Sequence, residues 1–418
     1  MIVELIHPPH PNSSDDRLDP PLGLLLIASY LRGCYGNGIE IRINDLSGCD
    51  TVNIGYADIY GVTSYATSFG FTKKLEKICR GKNPKCKFVV GGANPSAIPE
   101  IFPFADHVVV GEGEEAMQKI IEGTADRIVK SEKLVSPSLV PSFDLVNIRS
   151  YHRKINEKIS LPILTSRGCP FRCAFCGLHK MHELGGVRLG DAKEVADNVE
   201  KICTEFGISA VNFQDDIFTL NKKRLFQLLE HIKPLHIQFR CMGRAGYDEE
   251  EVYEKLAEAG CVQVAWGIES GSEKMLNKMN KEVTIQDNYN VIKWAKKYNI
   301  VSRCFFIIGF PGETKETLKE TMKFIEIADP DQYFVSNFIP YPGTPVWKDP
   351  KSFGITEISR NFEQYYQVSK DGTGGITIST EWLTKENFRE LEIEFRQWMK
   401  KRPMRGSILD YEKRIKND

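Results

Sequence analysis

The stretch Thr165-Ser166-Arg167-Gly168-Cys169-Pro170-Phe171-Arg172-Cys173-Ala174-Phe175-Cys176-Gly177 decides how this chain is read. Its three cysteines, spaced Cys-x-x-x-Cys-x-x-Cys, share one short segment broken by glycine and proline. Thiolates are soft ligands suited to iron–sulfur clusters. A cubane has four irons, so three thiolates leave one iron open to another ligand. A zinc site drawing on His179 and His182 stays open on the residues alone, although structural zinc usually closes its sphere with four ordered ligands. Three cysteines packed as small core hydrophobes would leave the glycine and proline unexplained.

Working outward, the cysteines directly follow an apolar run, Pro162–Arg167, that reads as a strand. Five more strands are expected at Ser209–Gln214, His236–Cys241, Val262–Ile268, Val301–Ile308 and Tyr333–Ile339. Helices fall between them near 191–206, 221–232, 248–259, 284–299 and 314–328. The first opens on a capping-box pattern, Asp191-x-x-Glu194, and repeats Val195, Val199, Ile202 and Phe206 at helical spacing. Six such units predict a partial (β/α)6 barrel of TIM type, open on one side, with its chemistry at the carboxyl ends of the strands.

The residues before it also alternate strand and helix. Strands are expected at 2–6, 39–43, 59–62, 88–90 and, last, 107–110, with helices at 22–32, 71–79 and 114–121. That pattern predicts a Rossmann-like, doubly wound parallel sheet, and hence an α/β chain. Ser131 to Asp144, with Pro137 and Pro141 and little periodicity, reads as a linker. The expected division is a first domain over 1–130, a linker over 131–157, a barrel over 158–348 and a short, mostly helical closing region over 349–418. The closing region holds a clear amphipathic helix, Lys385 to Lys401. The basic cluster Lys400-Lys401-Arg402-x-x-Arg405 reads as a solvated helix end.

At 418 residues the chain has room for two domains, and its net charge of −1 offers no electrostatic footprint for nucleic acid. Eleven cysteines are many. Outside the motif, Cys34, Cys49, Cys79, Cys86, Cys203, Cys241, Cys261 and Cys304 read as reduced core thiols, which points to a cytoplasmic protein. Met1 to Ile6 starts as a strand with no basic leader, and the longest apolar run, Pro21 to Leu31, is too short to span a bilayer.

Cys169 to Cys176 resembles the signature of the radical S-adenosylmethionine (SAM) superfamily. The resemblance implies a [4Fe-4S] cluster on Cys169, Cys173 and Cys176, whose open iron is chelated by SAM. It also implies reduction by an external one-electron donor of flavodoxin or ferredoxin type and cleavage of SAM to a 5′-deoxyadenosyl radical. Phe175 matches the position lying against the adenine. Asp215 and Asp216, ending the second strand, resemble the groups that receive the SAM ammonium, and equally fit a helix cap. Gly267-Ile268-Glu269-Ser270 resembles the family segment in which Glu269 or Ser270 meets the SAM ribose or methionine end. Arg303 and Arg240 offer partners for the SAM carboxylate, or for a barrel acid. Gly309, in Phe306-Ile307-Ile308-Gly309-Phe310-Pro311-Gly312-Glu313-Thr314, matches a backbone contact to adenine. Tyr341, in Pro340-Tyr341-Pro342-Gly343-Thr344-Pro345, faces substrate or packs the barrel floor.

The first domain resembles the cobalamin-binding domain that precedes many radical SAM barrels. The matching residues are Pro20 to Leu24, Gly61 to Ser64, Val89 to Pro95 and Val109 to Glu114. It implies cobalamin contacts from Thr63, Ser64, Gly91, Gly92, Gly111, Glu112 and Gly113, with Thr67 a further hydroxyl. No Asp-x-His-x-x-Gly ligand motif occurs, so cobalt without a protein histidine is implied. A domain that has lost the cofactor is the other case. His7 and His10 stand near the first loop. Gly111-x-Gly113-x-x-Ala116 matches a dinucleotide fingerprint superficially, but it follows the last strand and not the first. The resemblance implies methylation of an unactivated carbon in a small-molecule or peptide substrate. Ring closure, oxidation, rearrangement and thiolation share the architecture, and a cluster used only as a redox sensor is the non-catalytic alternative.

Overall fold

The computed structural model describes residues 1–402 apart from 11, 14, 50, 179–185, 370 and 371. Strands β1 (Ile2–His7), β2 (Glu40–Asp45), β3 (Ile59–Thr63), β4 (Lys87–Gly91), β5 (His107–Val110) and β6 (Ile128–Lys130) form one sheet in the order β2-β1-β3-β4-β5-β6. Every pairing in it is parallel. Successive residues of a strand face opposite sides, so β4 gives Phe88 and Val90 to one core and Val89 to the other. Helices therefore cover both faces, as parallel sheets require. The strand order reverses beside β1, and the crevice at such a switch point is where doubly wound sheets bind ligands. One expectation is corrected: His107–Val110 is not the last strand. Ile128–Lys130 pairs beyond it, burying Val129 with Val109 and Met117.

The second sheet contains β7 (Lys154–Ile155), β8 (Lys158–Ile163), β11 (Ala210–Phe213), β12 (Gln238–Gly243), β13 (Cys261–Glu269), β14 (Val301–Ile308) and β15 (Gln332–Asn337). Between β8 and β11 lie the short strands β9 (Ser166–Arg167) and β10 (Arg188–Leu189). The large sheet runs β15-β14-β13-β12-β11-β8-β7, parallel throughout except for β7. Its first parallel strand ends at Ile163, earlier than expected. Thr165 gives its N–H to the Asp215 carboxylate, and 166–167 pair antiparallel with β10.

Residues of β12 and β14 alternate between half-exposed and buried. The buried set, including Phe239, Cys241, Cys304 and Phe306, packs under the helices with Trp266 and Tyr253. The other set, Arg240, Met242, Arg303, Phe305 and Ile307, faces the barrel interior and stays partly accessible.

Helices outweigh strands in the described part of the closing region, which also holds a short two-stranded sheet. An antiparallel pair, β16 (Ile355–Ile358) with β17 (Ile378–Thr380), precedes the helix Lys385–Lys400. That helix sets Phe388 and Phe395 into the barrel core. Phe362 reaches the first domain, its ring 5.8 Å from Phe69. No helix among the described residues is long and apolar enough to cross a membrane.

Candidate active site

The root of the cysteine loop is a buried polar knot. Asp215, 1% exposed, accepts from Thr165 N (2.6 Å), Thr165 Oγ1 (2.5 Å) and Ser166 Oγ (2.7 Å). Arg224 clamps the same turn, donating to Thr165 Oγ1 at 2.8 Å and Thr165 O at 2.9 Å. Burial raises the Asp215 carboxyl against these donors. Both oxygens of Asp215 thus hold the root of the loop. Asp216 points the other way. It accepts from Gly168 N at 2.9 Å and lines a cavity.

Gly168 has φ +94°, and a Cβ there would lie 2.6 Å from Gly186 O. Only glycine turns the chain at that point. Beyond it, Ala174 N donates to Met279 O (2.8 Å) and Asn280 Nδ2 to Arg172 O (2.9 Å), pinning the loop to the end of the short helix Glu273–Lys278 that follows β13. Cys176 N donates to Cys173 O at 3.1 Å. Burial pushes the Cys176 thiol up to about 12, and nearby Cys173 and Cys169 add to it. Arg244 stands over the Phe171 ring at 3.5 Å and donates to Cys173 Sγ at 3.7 Å. A desolvated thiol group beside a guanidinium suits a cationic iron centre. Among the described residues, no three His, Cys, Asp or Glu side chains converge on a single metal ion. In a cubane each thiolate meets a different iron, so its donors stand farther apart than those around one zinc. His179 and His182 lie outside the described residues.

The other residues expected around SAM divide. Phe175 packs with Ala174, Met275, Met279 and Phe310 beside the loop. Glu269, in left-handed backbone at φ +66°, turns its carboxylate onto Lys281 Nζ at 3.0 Å, and both are buried. Such strain is uncommon for a glutamate and gathers at functional sites. Lys281 in turn lies 5.9 Å from the Phe175 ring. Ser270 is turned away: its hydroxyl pairs with Thr321 Oγ1 at 3.1 Å, fully buried. At Gly309, φ +77°, a Cβ would fall 2.5 Å from Phe388. The helix Lys385–Lys400 therefore packs close against that glycine. Tyr341 packs on Tyr365, with its hydroxyl 3.3 Å from Tyr365 O. Arg240 and Arg303 each stand third in their strands, deep in the lumen.

Between the two sheets lies a cavity of about 610 Å³. One wall is the carboxyl end of the first sheet: His7, Pro20 to Leu22, Thr63, Gly91, Gly92, Gly111, Glu112 and Gly113. The other is the root of the cysteine loop: Ser166, Arg167, Gly168, Gln214 and Asp216. Gly92 has φ +105° and Gly111 φ +90°, so the first wall exposes backbone at those points, between side chains such as Leu24, Tyr65 and Met117. Ser64 does not line it. Ser64 is fully buried and accepts from Thr72 Oγ1 at 3.2 Å. Glu112 lines the cavity but is engaged: Arg167 Nη1 lies 2.9 Å from it, and Arg188 pairs with it too. Arg167 Nη2 also meets Glu114 at 2.6 Å. This buried network ties the last loop of the first sheet to the residue before Gly168-Cys169. The sequence reading missed Arg167, Arg188, Arg224 and Arg244, because single arginines carry no spacing signal. It also placed Cys34 and Cys49 in the core, whereas both are exposed.

A doubly wound sheet facing a half-barrel across one cavity, with a three-cysteine loop at its rim, defines a two-domain class of cofactor enzymes. Residues 163–325 match the model of the radical SAM superfamily, and residues 19–121 match that of the B12 binding domain. An uncharacterized methyltransferase of Pyrococcus horikoshii is 31% identical over 361 residues, which is 79% of this chain and 78% of that one. The anaerobic magnesium-protoporphyrin IX monomethyl ester cyclase of Cereibacter sphaeroides is 26% identical over 70% of this chain and 53% of its own length. The radical SAM methyltransferase TsrM from Kitasatospora setae superposes with a TM-score of 0.70 over 95% of this chain and 90% of that one. At 16% identity, that likeness is one of fold. The chain belongs to the radical SAM superfamily, in the group that carries a B12-binding domain ahead of the half-barrel. Its cofactors are accordingly a [4Fe-4S] cluster, SAM and cobalamin.

Proposed function

We propose that the chain methylates an unactivated carbon of a small-molecule or peptide substrate. One observation carries this reading: a single cavity is walled by the glycine loops of the B12-binding domain and by the root of the cysteine loop. When bound, the cofactors supply a methyl donor on one side and homolytic cleavage of SAM on the other. The residues do the positioning. Cys169, Cys173 and Cys176 hold the cluster, while Asp215, Arg224 and Gly168 fix the loop that presents them. Phe175, with the Glu269–Lys281 pair beneath it, shapes the SAM side, and Asp216 offers a carboxylate to it. Thr63, Gly91, Gly92, Gly111 and Gly113 offer backbone and hydroxyl contacts to the corrin side. The domain boundaries remain those of the sequence reading, 1–130, 131–157, 158–348 and 349–418. The electron donor is an external flavodoxin or ferredoxin, and the protein works in the cytoplasm.

The test is anaerobic purification, cluster reconstitution and titration with hydroxocobalamin, followed in the visible spectrum. Stoichiometric retention, with 5′-deoxyadenosine formed from SAM, is expected. Formation of 5′-deoxyadenosine without cobalamin retention would sink methyl transfer. The similarity to a cyclase favours ring closure as the second reading. Retention of cobalamin with a product that gains no methyl group would select it.

A further inference from the structure

The cysteine sulfurs do not stand in equal surroundings. Cys176 Sγ accepts from the neutral backbone N–H of Leu178 at 3.5 Å. Cys173 Sγ accepts from a charged donor, Arg244 Nη1, at 3.7 Å. Arg244 directly follows β12 and is 6% exposed. Its guanidinium carbon lies 3.5 Å from the centre of the Phe171 ring, and Nη2 donates to the Lys281 carbonyl. The Phe171 ring in turn meets Tyr247 edge-on at 5.9 Å. The stack on Phe171 and the bond to Lys281 are enough to tie the cysteine loop to the segment after β13. The bond from Nη1 adds something that this structural task does not call for: a cation on one ligand sulfur.

A guanidinium keeps its proton throughout the working pH range, so this charge is fixed. Hydrogen bonds to the sulfurs help to set the potential of an iron–sulfur centre, and a charged donor held out of water acts more strongly than a neutral one. Three thiolates outweigh the positive charge of an oxidised cubane core, and one added electron makes the whole more negative. A nearby cation therefore favours the reduced state over the oxidised one. We propose that Arg244 is a positioning residue that sets the reduction potential of the cluster, acting through Cys173 to stabilise the reduced form. The step is a transfer of one electron: the external flavodoxin- or ferredoxin-type donor is oxidised, the cluster is reduced, and no bond forms or breaks. This rests on the reading that Cys169, Cys173 and Cys176 hold the cluster, and it adds what makes that cluster reducible.

The reconstituted full chain, free of SAM, is titrated with dithionite in the presence of redox mediators, and cluster reduction is followed by electron paramagnetic resonance. Arg244→Gln keeps an amide donor and removes the charge. Its equilibrium constant for reduction is expected to fall at least about tenfold, a midpoint about 59 mV lower for one electron, at unchanged iron content. Arg244→Lys, a cation without the planar fork, is expected to fall by less. Phe171→Leu removes the ring under the guanidinium and leaves every cysteine in place. It is expected to lower the midpoint too, and it serves as the second variant should Arg244→Gln hold no cluster. Three results overturn the proposal. One is a full cluster at the wild-type midpoint in Arg244→Gln. Another is a drop as large in Arg244→Lys as in Arg244→Gln. The third is loss of the cluster in Arg244→Gln together with either no cluster or a wild-type midpoint in Phe171→Leu, which would leave Arg244 a purely structural clamp. A wild type that binds fewer than about four irons per chain would instead overturn the cluster reading itself, and the proposal with it.

Discussion

The two walls of the cavity are built on opposite principles. The first-sheet wall opens backbone to the cavity at glycines 91, 92, 111 and 113, among apolar side chains such as Leu24, Ile27 and Met117. The cysteine-loop wall is a lattice of ion pairs and charged hydrogen bonds, in which Asp215, Arg224, Arg167 and Asp216 each fix one turn. Glycines at those points let a large flat ligand come close to the backbone between the side chains. A charged wall holds a short loop rigid against the pull of its own buried thiols. The walls should therefore fail differently. Cys173→Ala is expected to abolish the cluster absorbance and 5′-deoxyadenosine formation while leaving cobalamin retention intact. Loss of cobalamin in that variant would show that the walls do not act separately.

The next largest effect falls where they join. Arg167→Ala leaves Glu114, 3% exposed, without its cation. Breaking a buried pair from one side costs about 3 kcal/mol, read as a lower urea midpoint at unchanged slope. Arg167→Met with Glu114→Gln removes both charges and is expected to recover most of that loss. If the single and double variants are equally unstable, the pair is not what joins the walls.

The first-sheet wall responds more mildly. Gly92→Ala places a Cβ 3.1 Å from Ser64 O in backbone at φ +105°. The strain is about 2 kcal/mol, and cobalamin retention should weaken with little change in cluster content. Equal loss of both would remove the distinction between the walls.

Much of this was legible in the sequence because it is periodic. The six barrel strands and their helices announce themselves by spacing, and the cysteine loop by composition. The short strand Ile128–Lys130 escaped because only Val129 is buried, so it has no alternation to read. The site was only partly legible. Neighbouring Asp215 and Asp216 are chemically identical, and only the fold shows that Thr165 and Ser166 consume one while the other faces the cavity. Gly309 is a related case. A glycine marks close approach but does not say by what, and here the visitor is Phe388, 79 residues later.

The smallest effect concerns a charge stored away from both walls. Glu313 is 2% exposed, and burial pushes its carboxyl up to about 7, while Thr317 and the Gly309 N–H pull the other way. A carboxyl raised above its ordinary value of 4.5 keeps its proton in the folded chain after the unfolded chain has lost it. Its stabilisation is therefore complete below about 4.5 and is lost as the pH climbs through about 7. Between pH 6 and pH 8 the folded state should lose about 1 kcal/mol from this group. Glu313→Gln is expected to flatten that stretch of the stability profile, measured as urea midpoints across the same range. It should leave cobalamin retention and cluster content unchanged, since Glu313 lines neither wall. A profile equally steep in the variant would place the pH dependence on the cavity walls instead, in the half-buried carboxylates Asp216 and Glu112, whose pKa values burial also raises.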